Sequence, residues 1–232
     1  MPSSSPLCLV TGGAGFIGSA LVRGLLGRGC RVRVFDDLSS GRPENLAGLE
    51  GRIDFVRGDV RDATAVRDAV RGADTVFHLA AIASVQASVD DPLATHDVNV
   101  TGTLNTLVAA RDEHVRRYVF TSSSAVYGDS PEMPKRETMT PAPMSGYALS
   151  KLAGEQYGNI FRNLYGLPFF ALRYFNVFGP RQNPASHYAA VVPLFVRAAL
   201  AGESPTIYGD GLQTRDFTYV ENVVEANLKA CL

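Results

Sequence analysis

An α/β fold organised as a doubly wound parallel sheet is predicted by three features of this 232-residue sequence. Short runs of β-type residues alternate with longer helix-period segments. The first such run leads directly into a glycine-rich turn and a helix, and the second ends in an acidic residue. Alternation of this kind argues for parallel strands joined by crossover helices that cover both faces of the sheet.

Leu7 to Thr11 is apolar and reads as the first strand, meeting Gly12-Gly13-Ala14-Gly15-Phe16-Ile17-Gly18 and then a helix through Ser19 to Leu26. Gly12, Gly15 and Gly18 allow a tight turn, close approach of the backbone to a pyrophosphate and tight helix-on-sheet packing, while the helix N-terminus offers free amides to the anion. By itself a glycine triplet can be only a turn. The second strand, Arg31 to Phe35, supplies the missing context by ending in Asp36. A carboxylate there accepts hydrogen bonds from a ribose 2′-hydroxyl and repels a 2′-phosphate, so the expected cofactor of this Rossmann fold is NAD and not NADP.

The third strand is expected over Ile53 to Arg57, followed by Asp59-Val60 and a helix from Thr64 to Val70. Thr75 to Leu79 forms the fourth, running into Ala80-Ala81, whose small side chains would let backbone approach a cofactor. Pro92 precedes a helix expected over Leu93 to Arg111. The fifth strand, Tyr118 to Thr121, ends in Ser122-Ser123-Ser124, and the loop Gly128 to Ser145 follows it. A helix from Tyr147 to Tyr165, the strand Phe169 to Tyr174 and the loop Gly179 to Ser186 complete the pattern. Ligands of an open α/β sheet sit beyond the carboxyl edge of the strands, which is where the serine triplet and the alanine pair fall.

Tyr147 and Lys151 stand four residues apart on a helix, which places a phenol and an ammonium on one face about 6 Å apart. A cation so close favours the phenolate, and a tyrosine activated in this way is a usable base. Such a string also arises by chance, as a packed tyrosine beside a solvated lysine.

The charge balance gives a formal net charge of −1 with scattered Lys and Arg, so no basic field points to nucleic acid or to a membrane surface. Cys8, Cys30 and Cys231 form no C-x-x-C pair, which suits a reducing compartment, and the N-terminus lacks the features of a secretion signal; a cytoplasmic location is expected. His78, His96, His114 and His187 show no metal-ligand spacing, and no metal is expected.

Taken together, GGAGFIG, Asp36, Gly58-Asp59-Val60, HLAA at 78 to 81, Asn99 with Gly102-Thr103-Leu104, TSSSAVYG at 121 to 128, the Tyr147/Lys151 pair, Arg173 to Arg181 and Tyr208 to Phe217 resemble the extended short-chain dehydrogenase/reductase family. Within it the resemblance is to the NAD-dependent nucleotide-sugar 4-epimerases of the UDP-glucose and UDP-N-acetylglucosamine type. It implies an enzyme that epimerises C4 of a UDP-hexose through a transient 4-keto sugar, with Ser123, Tyr147 and Lys151 catalytic. The implied NAD contacts are Gly12, Gly15, Phe16, Ile17, Gly18, Asp36, Asp59, Val60, Leu79, Ala80, Ala81, Asn99, Ser122, Tyr147, Lys151 and Phe175. Substrate contacts are implied at Ser84, Ser123, Tyr147, Asn176 and Arg215, and Ala189-Ala190 resembles members that accept N-acetyl sugars.

Dehydratases and decarboxylases on this scaffold carry an acidic residue after the catalytic serine, where this chain has Ser124-Ala125. That difference favours epimerisation; a UDP-glucuronate 4-epimerase or another nucleotide-sugar epimerase is the alternative, ahead of a non-catalytic NAD-binding protein. The resemblance further implies an NAD-binding domain over 1–176, a smaller and shortened substrate lobe over 177–232, and a homodimer joined through the helices Leu93 to Arg111 and Tyr147 to Tyr165. Both helices are apolar over more than one face, and an Asp at Leu107 is expected to release monomers, or to unfold the chain if the position belongs to the core.

Overall fold

The computed structural model describes residues 5–183, 191–207 and 209–231. Ala189-Ala190, His187, Tyr208 and the end of the expected loop Gly179 to Ser186 lie outside the described residues. Six strands, β1 (Leu7–Thr11), β2 (Arg31–Asp36), β3 (Ile53–Arg57), β4 (Thr75–His78), β5 (Arg117–Ser123) and β6 (Phe169–Tyr174), form one sheet in the order β3-β2-β1-β4-β5-β6. Every pairing in it is parallel. The order reverses between β1 and β4, the position where a doubly wound sheet opens a crevice at its carboxyl edge.

Two apolar layers follow from the period-two alternation of the strands. Leu9, Val76, Tyr118 and Phe120 pack against α2 (Ala63–Val70), α5 (Gly102–Asp112) and α6 (Gly146–Tyr165). Cys8, Val10, Phe77 and Val119 face α1 (Phe16–Gly27) and α8 (Val220–Lys229) on the other side. Residues on both faces are buried, which is why these strands read as near-continuous apolar runs.

The helix expected from Leu93 to Arg111 is present as continuous helical backbone with a π turn inside it. It consists of α4 (Pro92–His96), a π-helical turn over Asp97–Thr101 and α5, preceded by the short α3 (Val85–Asp90). Ser84 caps α3 by accepting the Ala87 N–H, and Asp91 caps α4 by accepting the Ala94 N–H. Pro92 lacks an N–H, so the helix must restart there and cannot run through. The π turn holds Asn99, buried, with its side chain aimed at the chain after β4.

Beyond β6, the strands β7 (Asn176–Phe178) and β8 (Phe217–Tyr219) pair in a separate two-stranded parallel sheet, with α7 (Val191–Ala201) between them in sequence. Residues 177–232, expected as a lobe of their own, therefore divide. Val220 and Val224 of α8 join the core beside Leu21 and Leu25 of α1, so the last helix belongs to the main sheet's cover. Leu107 is 0% exposed within the other core layer, so an Asp there would bury an unpaired charge and unfold the chain instead of releasing monomers.

Candidate active site

A cleft of about 760 Å³ opens at the carboxyl edge of the sheet, where β1 and β4 diverge. Its floor is the turn after β1. Gly12 has φ +68°, and a Cβ added there would stand 2.8 Å from the Ala80 backbone nitrogen, so the close approach of the two turns requires glycine. Gly15, Phe16, Ile17 and Gly18 at the start of α1 line the cleft, and α1 presents its amide-rich N-terminus to it.

Asp36 ends β2 at the side of the cleft, 6% exposed. Its Oδ2 accepts the Ala14 N–H at 2.9 Å and its Oδ1 the Leu38 N–H at 2.9 Å, which orients the carboxylate. Burial pushes its pKa above the ordinary carboxylate value against the pull of those two amides. Asp59 and Val60 lie further along the same wall, and Arg61 grips Asp59 through Nε at 2.9 Å, holding that carboxyl below its usual range. Asp37, Ser39, Ser40 and Arg61 also line the cleft. Their place directly after Asp36 and Val60 was the available signal for them.

The opposite turn, Leu79 to Ala81, is tied to β1 through a buried hydroxyl. Thr11 Oγ1 accepts the Leu79 and Ala80 N–H groups, each at 3.2 Å, and meets His78 Nδ1 at 2.8 Å. His78 Nε2 meets Thr103 Oγ1 at 3.0 Å, and that hydroxyl already donates to the Asn99 carbonyl at 2.6 Å. Thr103 therefore accepts from His78, which fixes the imidazole as the neutral Nε2–H tautomer accepting from Thr11. Burial, aided by the Lys151 charge, pushes the His78 pKa down to about 3.

The chemistry sits where β5 meets α6. Ser145 caps α6 by accepting the Ala148 N–H, and the first turns of that helix carry Tyr147 and Lys151 into the cleft. Lys151 is 3% exposed; its Nζ donates to the Thr121 carbonyl at 2.9 Å and lies 6.0 Å from the centre of the Tyr147 ring. Desolvation lowers its pKa to about 8. Contrary to the sequence expectation, the Tyr147 phenol is pushed up, because burial outweighs everything else acting on it, and a hydrogen bond with Ser123 is what works in the opposite direction. Ser123 ends β5, and its Oγ also accepts the Ala125 N–H at 3.1 Å.

Of the residues singled out from sequence, Ser84, Leu79, Ala80, Ala81, Ser122, Ser123, Tyr147, Lys151 and Phe175 face this same cleft. Asn99 does not reach it. Its amide is spent on the Ile82 N–H and carbonyl and on Ser150 Oγ, behind the cleft wall. Asn176 and Arg215 stand apart as well, exposed at the small sheet, where Asn176 donates to the Asp216 carbonyl and Arg215 to that of Thr214. Among the described residues no group of three or more His, Cys, Asp or Glu side chains is arranged to hold a metal ion, and no helix is long and apolar enough to cross a membrane.

The cleft fits a dinucleotide on three counts: a glycine floor that any Cβ would fill, an oriented buried carboxylate at the end of β2, and a volume in the range of cofactor sites. The family model described as "NAD dependent epimerase/dehydratase family" matches residues 8–232. A UDP-glucose 4-epimerase of Mycolicibacterium smegmatis is 48% identical over 227 residues, 96% of this chain and 72% of that protein. The structure of a UDP-N-acetylglucosamine 4-epimerase from Methanobrevibacter ruminantium, in complex with UDP-N-acetylmuramic acid, superposes with a TM-score of 0.94 at 44% identity, covering 98% of this chain and 73% of that one. A UDP-glucose 4-epimerase of Thermus thermophilus in complex with NAD gives a TM-score of 0.89 at 43% identity, covering 97% and 74%.

Proposed function

Because the chain belongs to the NAD-dependent epimerase/dehydratase family, we propose that it inverts C4 of a UDP-hexose, UDP-glucose/UDP-galactose or the N-acetylated pair, with NAD bound in the cleft. The observation that carries this reading is the convergence of Ser123, Tyr147 and Lys151 on one wall of a dinucleotide-sized cleft, with no acidic side chain following Ser123. Elimination and decarboxylation call for a further acid or base; oxidation followed by re-reduction does not.

Bound in the cleft, NAD would supply the acceptor and then the donor of the C4 hydride. The chain's residues do the rest. Tyr147 takes the proton of the sugar 4-hydroxyl and gives it back after the 4-keto sugar has turned over in the pocket. Ser123, hydrogen-bonded with the same phenol, is placed to hold the C4 oxygen. Lys151, with Nζ fixed on the Thr121 carbonyl, supplies the positive charge that favours the phenolate once substrate and cofactor close the site. Gly12 to Gly18 and the start of α1 would hold the pyrophosphate, and Asp36 the adenosine ribose, with NAD favoured over NADP.

For Asn176 and Arg215 we propose substrate-diphosphate contacts, in a substrate lobe built from β7, α7 and β8, with Ser84 on the cofactor-side rim. Their exposed side chains leave them able to meet an anion, and a guanidinium offers one a two-pronged contact. We also propose a homodimer. Val89, Leu93, Leu149 and Leu164 are 64%, 77%, 58% and 71% exposed on α3, α4 and α6, more apolar surface than scattered residues explain. Three free thiols support a cytoplasmic location.

Two measurements test the reading. Denaturing the purified chain is expected to release NAD without NADP. The chain is expected to interconvert UDP-glucose and UDP-galactose, or their N-acetyl forms, with no net NADH, and Tyr147→Phe to lower turnover by about 100-fold with the fold intact. Equal turnover in the variant would remove Tyr147 from the chemistry.

A further inference from the structure

Behind the catalytic wall lies a charged pair that the mechanism does not use. Glu155 stands one helical turn beyond Lys151 on α6 and is 6% exposed. Arg173 on β6 grips it with two hydrogen bonds, Nε to Oε1 at 2.9 Å and Nη2 to Oε2 at 2.8 Å. The same Oε1 accepts the hydroxyl of Ser122 at 2.5 Å. The guanidinium also lies over the Tyr127 ring, 4.7 Å from its centre. These contacts join α6, β5, β6 and the turn after β5 at one point.

We propose that the Glu155–Arg173 pair, acting through Ser122, is a positioning device that sets where the Ser123 hydroxyl meets the Tyr147 phenol. The proposal rests on the roles given above to Ser123 and Tyr147. Two consecutive residues of β5 are clamped to α6: Thr121 through its carbonyl to Lys151, and Ser122 through its hydroxyl to Glu155. Ser123 is the next residue, so its place relative to Tyr147, on the same helix, is defined by both clamps. In β6, Arg173 lies in register with Ser122, and Tyr174 with Ser123, so the guanidinium braces the clamped rung from the far side.

A buried ion pair is a poor means of gaining stability alone, since a well-packed apolar pair of similar size is commonly as stable or more so. What apolar side chains cannot do is accept the Ser122 proton. The pair is neutral overall, so it fixes geometry without adding net charge beside Lys151. Ser123 provides the hydrogen bond that offsets burial at the phenol, and a displacement of about 1 Å at such a contact can cost two orders of magnitude in rate.

The test uses the NAD-loaded chain, with Ser122→Ala and with the joint replacement Glu155→Leu and Arg173→Met. The joint replacement leaves net charge unchanged, so no long-range electrostatic effect confuses it. Both are expected to lose about 10-fold or more in kcat and to move ionisation of Tyr147 to higher pH, while the joint variant, whose two residues lie outside the lining of the cofactor cleft, keeps bound NAD and substrate KM. That ionisation is read as the tyrosinate absorbance lost when Tyr147→Phe is added to each. The thermal midpoint of the joint variant is expected to fall modestly, because the buried Ser122 hydroxyl is left without its acceptor.

A joint variant with kcat within about twofold of the unmutated chain and Tyr147 ionising at the same pH would show the pair to be packing only and overturn the proposal. If it fails to fold, Ser122→Ala decides, because the ion pair survives in it; unchanged kcat and ionisation there overturn the proposal equally. If the unmutated chain converts no UDP-hexose, the functional reading fails, while the ionisation shift, which needs no substrate, still decides the positioning role.

Discussion

At the residue scale the site is built against stability. Lys151 is buried with one carbonyl for a partner, and its pKa falls from the ordinary 10.5 to about 8. Between those values the unfolded chain holds the proton and the folded chain does not, so stability rises with pH across that window; below it the full cost, of order 3 kcal/mol, applies. Lys151→Met should therefore raise the denaturation midpoint of the cofactor-free chain at pH 7, with the advantage fading as pH approaches 10.5. Tyr147 acts oppositely, losing stability only above its ordinary value, and cancels in the comparison. A Lys151→Met chain less stable than its parent at pH 7 would contradict this account. The pairing of Tyr147 with Lys151 was legible from spacing alone, but the direction of the tyrosine shift was not. Helical spacing reports that a cation is near, whereas burial depends on how the rest of the fold packs around α6.

At the scale of elements, α6 shows how the sequence both disclosed and concealed the architecture. Its limits, expected at Tyr147 and Tyr165, agree to within a residue with the structure, where Ser145 caps its start and Gly166 ends it in the left-handed region. Gly154 and Gly158 had no sequence explanation. In the fold they let the helix axis approach the rings of β5 and β6: a Cβ at Gly158 would stand 2.0 Å from Phe169 Cζ, and one at Gly154 2.3 Å from Phe120 Cζ. Gly158→Ala gains helix propensity of about 1 kcal/mol but forces this contact apart, and overpacking typically costs about 1–3 kcal/mol or more. A net loss in urea midpoint is expected, and a gain would show that the two layers can slide apart freely. Other elements were illegible for identifiable reasons. The π turn at Asp97–Thr101 leaves the helical backbone uninterrupted, so the helix over Leu93 to Arg111 was legible while the turn within it was not. β7 and β8 are three residues each, too short for alternation to declare itself, and their pairing joins Asn176 to Phe217 across a long stretch of chain. Glu155, Arg173 and Ser122 meet only because three elements converge.

For the whole molecule, the exposed apolar residues of α3, α4 and α6 predict the state of association. Leu93→Asp and Leu149→Asp change side chains that are 77% and 58% exposed, so neither should disturb folding, and both should shift a sedimenting dimer to monomer. A parent chain that is monomeric at micromolar concentration would remove the dimer. The sheet order β3-β2-β1-β4-β5-β6 carries a consequence for how the chain reaches its fold. Of the six strands of this sheet the earliest in sequence is an interior one, β1, and while one of its neighbours follows soon after, the other is β4, with Thr11 and His78 separated by 67 residues. Loop-closure entropy opposes so distant a pairing until the intervening chain has been made. A nascent chain halted before Thr75 exposes one flank of β1, an apolar run with free amides and carbonyls that can recruit a strand from another chain. The segment that brings Leu79 to Ala81 to the cleft is thus also the one that covers this vulnerable flank of β1, so one wall of the site and the protection of the strand arrive in the same step of synthesis.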